Sequence, residues 1–319
     1  MRFEAIAGSA RTVEDGADRT LEVAEPDVQT GGPQRLIDAH HHLWDLERHV
    51  YAWLRAEGDP GTTAWIGDYV SIRRPYLLDD YLRDASGSGL YKSVHVEALW
   101  GGSDSVEETL WLQAISDQHG FPHAIVAAVD LCAPDVETQL DRHLASPNLR
   151  GVRMAQIGDL VSRRDFRRGF AALAERGLNY DLNIRLEDAT HALGLAAAFP
   201  GTTILVDNMA NPISLDNNYL VRWKTAMRML ARAPNVVMKI SGLGMADHLW
   251  TVERIRPWVL AAIGIFSPGR CMFGSNWPVD RLYSSYESLV DGFRRITTDL
   301  GADERDALFR GTAERCYRI

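Results

Sequence analysis

Apolar residues come in eight short runs: LIDAHHHL from Leu36, YKSVHVEAL from Tyr91, AIVAAVDL from Ala124, LRGVRMA from Leu149, NYDLNIR from Asn179, TTILVDN from Thr202, NVVMKIS from Asn235 and RCMFGSN from Arg270. Their length and enrichment in Val, Ile and Leu read as strands. The intervening stretches SVEETLWLQAISDQHG, SRRDFRRGFAALAERG and DATHALGLAAAFPG carry helical periodicity, the last two with a glycine where a helix would stop. Strands alternating with helices at roughly 30-residue spacing predict βα units and a parallel sheet. Eight such units close most economically into a distorted (β/α)8 TIM barrel, for which about 250 residues is typical. A doubly wound open sheet competes, but no GxGxxG follows the first run.

Two stretches fall outside this rhythm. Residues 1–34 are rich in Asp, Glu, Gly, Thr and Pro with little periodicity and read as a mobile leader, leaving 35–319 as a single barrel domain. The connection after the first strand is too long for a simple turn, and it carries Trp44, Tyr51, Trp53, Trp65, Tyr69, Tyr76 and Tyr81. In a barrel this long aromatic-rich loop would cover the catalytic face. Taken singly, each of its aromatics reads equally as part of a satellite core under the loop.

Composition narrows the function classes. With 46% hydrophobic and 24% charged residues the chain reads as globular. A net charge of −9 argues against a nucleic-acid surface, which would show a basic face. No apolar run reaches the length of a membrane span and the opening residues lack the apolar core of a secretion signal, so a cytoplasmic protein with no membrane partner is expected. Cys132, Cys271 and Cys316 are odd in number and far apart, which disfavours a disulfide framework or a thiolate metal site; Cys271 reads as a buried strand residue. Motifs such as GxSxG, HExxH and GxxxxGK[ST] are absent.

The chemistry gathers at the strand ends. Near the C-terminal ends stand His40 and His42, His95 and Glu97, Arg153, Asn183 and Arg185, Asp207 and Asn208, Lys239 and Ser241, and Asn276. A strand buried on both faces should read as continuous apolar residues, and an unpaired buried charge is costly, so one shared polar pocket explains these residues better than seven accidents. In the run "IDAHHHLW", strand alternation predicts that Asp38, His40 and His42 share one face and Ala39, His41 and Leu43 the other. Two imidazoles on one face are candidate metal ligands in search of further donors.

The segments "DAHHHLWD" at 38–45, "SVHVEA" at 93–98, "KISGLGM" at 239–245 and "RCMFGSNWPVDRL" at 270–282 together resemble the amidohydrolase-related family of TIM-barrel hydrolases, in the branch of sugar lactonases and pyrone dicarboxylate lactonase. The resemblance runs from about Arg35 to the end. It implies a distorted barrel and hydrolysis of a small lactone or related acyl bond by a lactonase-like enzyme of a metal-binding family. The family's His-x-His matches His40 and His42. A histidine common after the sixth strand is replaced by Asn208 in "VDNMANP", Glu187 stands near another frequent histidine, and the aspartate of the last-strand motif is Asn276.

With two amides where the family often has an imidazole and a carboxylate, a tight binuclear site is not expected. One loosely held divalent ion, zinc first among candidates, on His40 and His42 and a metal-independent site both stay open. On this reading His40, His42 and Asn276 are catalytic, and Glu97 or Asp207 is the general base. Arg153 and Arg185, fixed on strands, would clamp a carboxylate of a small anionic or polyhydroxylated substrate, with Asn183, Asn208 and Lys239 as further contacts. A decarboxylase or hydratase on the same barrel and a catalytically silent ligand-binding barrel are the alternatives, and a homo-oligomer is possible.

Overall fold

The structure, a computed structural model, describes residues 34–55, 60–154 and 158–319. The expected leader therefore lies outside the described residues, apart from its last residue. All eight runs form strands: β1 (Leu36–His41), β2 (Leu90–Val96), β3 (Ala124–Ala128), β4 (Leu149–Met154), β5 (Asn179–Leu182), β6 (Ile204–Val206), β7 (Val236–Ile240) and β8 (Cys271–Phe273). Each pairs in parallel with the next, in the order β1 to β8. The ring closes just beyond β8, where His42 N donates to Trp277 O (2.7 Å) and Asn276 N to His40 O (2.7 Å).

Three short helices, α1 (Ala52–Arg55), α2 (Pro60–Ile66) and α3 (Leu78–Asp84), occupy the connection after β1. The outer layer is built from α4 (Val106–His119), α5 (Val136–His143), α6 (Arg164–Glu175), α7 (Ala189–Ala198), α8 (Asn217–Leu230), α9 (Leu243–Ala246), α10 (Val252–Phe266), α11 (Tyr286–Ile296), α12 (Ala302–Asp306) and α13 (Thr312–Tyr317). Local chemistry sets their ends. The side chains of Asp216, Thr251 and Ser285 accept the backbone N–H of Tyr219, Arg254 and Ser288, satisfying donors a helix start leaves orphaned. Gly120 closes α4 at φ +75°, a conformation that penalises any Cβ.

Alternation along the strands sorts side chains into a lumen and a helix-facing layer. Ile37, Ala39, Val94, Val96, Ala124, Val126, Leu205, Val237 and Met272 form one apolar cluster, closed from below by Ala313, Cys316 and Tyr317 near the end of the chain. Leu36, Ile125, Val152, Tyr180, Val206 and Ile240 instead join the core shared with the helices. Two positions beyond lumen residues of the fourth to seventh strands come Arg153, Asp181, Asp207 and Lys239, so the lumen turns from apolar to ionic as it rises toward the strand C-termini.

In the first strand the expected alternation breaks. The register of β1 against β2 shifts between Asp38 and His41. Ala39 belongs to the lumen cluster while His40, its neighbour, reaches the lumen ionic groups as well. Asp38 therefore does not share a face with His40 and His42. Its carboxylate turns to the helix layer, where it accepts from Tyr81 OH (2.9 Å), Tyr286 OH (3.1 Å), Ser275 Oγ (2.6 Å) and Ser275 N (2.8 Å). His41 lies on that side too, stacked on Tyr81 at 4.1 Å. The irregularity brings two histidines, rather than one, to the mouth.

Among the described residues of the long connection, Trp44, Tyr51, Tyr69, Tyr76 and Tyr81 are buried and act as a satellite core. Trp53 and Trp65 are only partly buried and line the barrel mouth. No described helix is long and apolar enough to cross a membrane. Cys271 is buried on β8 as expected, and the cysteines are unpaired.

Candidate active site

A cavity of about 120 Å³ opens at the strand C-termini, bounded by His42, Arg153, Asn183, Asn208 and Asn276 below and by Trp53, Trp65, Leu99, Met245 and Val279 around it. The structure thus brings together six of the expected residues, counting His40 immediately behind His42, its ring edge-on at 5.1 Å between centroids.

The tautomer of His42 follows from its partner. Its Nδ1 lies 2.7 Å from Val96 O, which only accepts, so Nδ1 carries the proton and Nε2 keeps its lone pair. Burial, with His40 and Arg153 nearby, holds this imidazole well below its ordinary pKa and therefore neutral. His40 is fully buried, which lowers it to about 4 even though Asp207 Oδ1, 3.3 Å from Nδ1, pulls the other way. Its Nε2 is buried and makes no hydrogen bond.

Behind the histidines lies an ionic cluster that engages several of the expected site residues. Glu97 is not a free base: Oε1 accepts from Arg153 Nε (2.6 Å) and Oε2 from Leu99 N (2.7 Å). Asp207 is not one either. Its oxygens face Arg153 Nη1 (3.2 Å), Lys239 Nζ (3.1 Å) and His40 Nδ1, and although burial alone would raise it, Lys239, His40 and Arg153 together hold the carboxyl well below the usual range. With their oxygens turned to these partners, neither Asp207 nor Glu97 lines the mouth cavity, whereas His42 does. Lys239 is fully buried, donating to Asp181 and paired with Asp207, so it is out of a substrate's reach. Arg185 lies beyond β5 rather than on it, exposed at the rim of a neighbouring open cleft with Trp65 and His248, so the expected pair of strand-borne arginines reduces to Arg153. Glu187 is exposed and paired with Arg222.

Two residues escaped the sequence reading. Asp181 stands two positions before Asn183 on the same strand face, receives Lys239 and accepts Tyr317 OH at 3.0 Å; strand alternation was the available signal. Asp280 is buried one helical turn after Asn276, whose Nδ2 donates to its Oδ1 at 3.0 Å.

The amides are oriented by their neighbours. Ser241 Oγ donates to Asn208 Oδ1 (2.7 Å), turning the amide nitrogen of Asn208 toward the mouth, and Asn211 Nδ2 donates to Asn183 Oδ1 (2.6 Å). Asn208 and Asn276 hold left-handed backbones at φ +46° and +56°. Asparagine accepts that region more readily than most side chains, which favours it at these two positions beyond any role as ligand.

His40 and His42 are the two imidazoles at the mouth, the adjacent carboxylates are engaged by Arg153 and Lys239, and no cluster of three His, Cys, Asp or Glu is assembled among the described residues. Catalytic zinc takes three protein donors and a water, so these residues do not fit such a site.

Comparison with known proteins gives a consistent setting. The family model described as amidohydrolase matches residues 37–319. A Sinorhizobium fredii protein, y4mH, is 40% identical over 296 residues, covering 89% of this chain and 98% of its own length. An L-fucono-1,5-lactonase of Burkholderia multivorans is 31% identical, covering 89% of this chain and 96% of that protein. A crystal structure of a Burkholderia multivorans amidohydrolase with bound zinc superposes with a TM-score of 0.76 at 30% identity, covering 90% of this chain and all of the other.

Proposed function

Since the chain belongs to the amidohydrolase family, we propose that it hydrolyses a small polyhydroxylated lactone at the barrel mouth, without routing the chemistry through a metal. The observation that carries this reading is the fixed tautomer of His42, whose Nε2 lone pair lies in a pocket shared with a guanidinium and three amides. Likeness to the fuconolactonase of Burkholderia multivorans supports the substrate class.

The steps follow from the groups present. A water in the cavity gives a proton to His42 Nε2 as its oxygen attacks the lactone carbonyl. Arg153 spends Nε, one N–H of Nη1 and one of Nη2 on Glu97 and Asp207; its remaining N–H groups serve the oxygen that becomes negative. When the ring C–O bond breaks, the protonated His42 returns its proton to the leaving alkoxide. Burial helps this second half, because an imidazole held well below its ordinary pKa is a strong acid once charged.

Charge balance supports the polyhydroxylated of the two substrate classes expected from the sequence. Arg153 and Lys239 are two cations facing three carboxylates, Glu97, Asp181 and Asp207. The site has no surplus positive charge to hold an anion, so hydroxyl groups fit better. They would meet Asn183, Asn208 and Asn276, with Trp53 and Trp65 offering apolar faces to the ring. The test is a pH-indicator assay over a panel of neutral sugar 1,4- and 1,5-lactones and dicarboxylate lactones. Acid release from neutral sugar lactones supports the reading; preference for dicarboxylates, or carbon dioxide as product, overturns it.

A further inference from the structure

Asp280 is a buried acid without a cation. It is 1% exposed, and the described hydrogen-bond partner of its carboxyl is neutral, Asn276 Nδ2 at Oδ1. Oδ2 has no hydrogen bond. Burial pushes the carboxyl up to about 7. Placing such a group inside a protein costs free energy that a leucine or valine there would avoid. Its neighbours are close-packed, since a Cβ on Gly244 would come within 2.4 Å of the Tyr283 ring, so the carboxyl has little room to turn elsewhere.

What Asp280 touches explains its presence. The backbone of Asn276 is clamped from both sides, its N–H to His40 O (2.7 Å) and its carbonyl to Asp280 N (3.2 Å). That leaves the amide plane as the undetermined feature, because the oxygen and nitrogen of an asparagine are nearly equal in size and opposite in hydrogen bonding. Whether the carboxyl is ionised or carries a proton on the unpaired Oδ2, its Oδ1 only accepts, so Oδ1 claims the Nδ2 end. The Oδ1 end of Asn276 is then presented to the cavity that Asn276 lines together with His42. Asn208 is set the opposite way by Ser241, so these two amides turn opposite ends to the mouth, one a donor and one an acceptor.

Resting on the lactone-hydrolase reading above, we propose that Asp280 is a positioning residue: it locks the Asn276 amide with its oxygen toward the cavity, where that oxygen and His42 Nε2 accept the two protons of the attacking water. A water held at both hydrogens points a lone pair at the carbonyl. Freed of Asp280, the amide turns over, offers N–H instead, and the water loses one of its two acceptors.

The experiment is a charge-swap cycle. D280V deletes the acceptor that holds Asn276 Nδ2, so the Asn276 amide is no longer fixed with its oxygen toward the mouth. We expect kcat on a neutral sugar lactone to fall tenfold or more while KM changes less than threefold. In D280N/N276D the amide nitrogen of residue 280 binds one carboxylate oxygen of residue 276 and the other faces the cavity, so kcat should return to within about threefold of wild type. A D280V protein that changes its melting temperature but keeps wild-type kcat, or a swap no better than D280V, overturns the proposal. A second readout does not depend on turnover: with ¹⁵N-asparagine labelling, the side-chain NH₂ pair of Asn276, identified by its loss in N276D, should show one slowly exchanging, hydrogen-bonded proton that disappears in D280V. An unchanged pair overturns the lock. If the wild-type protein opens no lactone, the functional reading falls and the NMR result alone decides the pairing.

Discussion

Replacing Lys239 by methionine tests the division between the ionic floor and the mouth. Methionine keeps most of the stem volume and deletes the charge. Lys239 is fully buried, donates to Asp181 and lies 3.1 Å from Asp207 Oδ1. Without it Asp207 still has Arg153 at 3.2 Å, but Asp181 keeps only the Tyr317 hydroxyl and must be protonated or stay charged in a dry interior. Removing one partner of a buried pair costs about 3–5 kcal/mol. In a domain of this size each kcal/mol moves Tm by roughly 2–4 °C, so K239M should melt roughly 10 °C lower. The double variant K239M/D181N removes the stranded charge as well and should recover most of the loss, an interaction energy that two independent sites would not show. Thermal and urea unfolding followed by tryptophan fluorescence, with KM measured on the folded fraction, reads both. If K239M melts like wild type while KM rises, Lys239 reaches the substrate as the sequence suggested and the placement argued above is wrong.

Three further outcomes follow from the same geometry. In H42N the amide nitrogen takes over the bond of Nδ1 to Val96 O while the lone pair of Nε2 is lost, so kcat should fall about 10²–10⁴-fold with Tm nearly unchanged; retained activity would remove His42 from the proton transfer. Dialysis against a strong chelator should leave kcat within about twofold and elemental analysis should find less than one metal equivalent; a loss restored by zinc refutes the fit argument drawn from the two-imidazole donor set. Burial lowers His95 to about 3 and, mainly by the same cause, His40 and His143 to about 4. Above the ordinary histidine pKa of about 6.5 these rings are neutral both folded and unfolded, and as pH falls from there toward 4 only the unfolded chain gains their protons, so the urea midpoint should drop steadily over that window. A midpoint that is flat between pH 7.5 and 5 contradicts the burial of these rings.

The barrel itself was readable from the chain because each strand must be apolar on both faces and each helix on one. That requirement writes the eight runs directly into composition. The site was readable only as a list of polar strand ends. Whether Glu97 is a base or a strut depends on Arg153, which lies 56 residues away and meets it only in the folded lumen, at 2.6 Å. Local pattern carries no such information. Asp181 was within reach of alternation but lies below the strand tip, where a polar residue is not marked out by position alone. Asp38 departs from its expected face for a definite reason: strict alternation assumes unbroken register, and the slip between Asp38 and His41 is decided by the neighbouring strand.

The carboxylate of Asp38 has a consequence for how the chain reaches this state. It joins residue 38 to Ser275 and Tyr286, more than two hundred positions apart, and these contacts exist only where the first and last strands meet. A partly wound sheet of fewer strands would hold Asp38 without Ser275 and Tyr286 as donors and would leave one edge of backbone unpaired. Loop-closure entropy grows only slowly with chain length, so the long span is not itself prohibitive, whereas an unsatisfied carboxylate in the helix layer is. The seam therefore works as a completeness check, favouring the fully wound ring over its truncated versions. High contact order of this kind predicts slow, cooperative folding in which the joining of the two ends comes late.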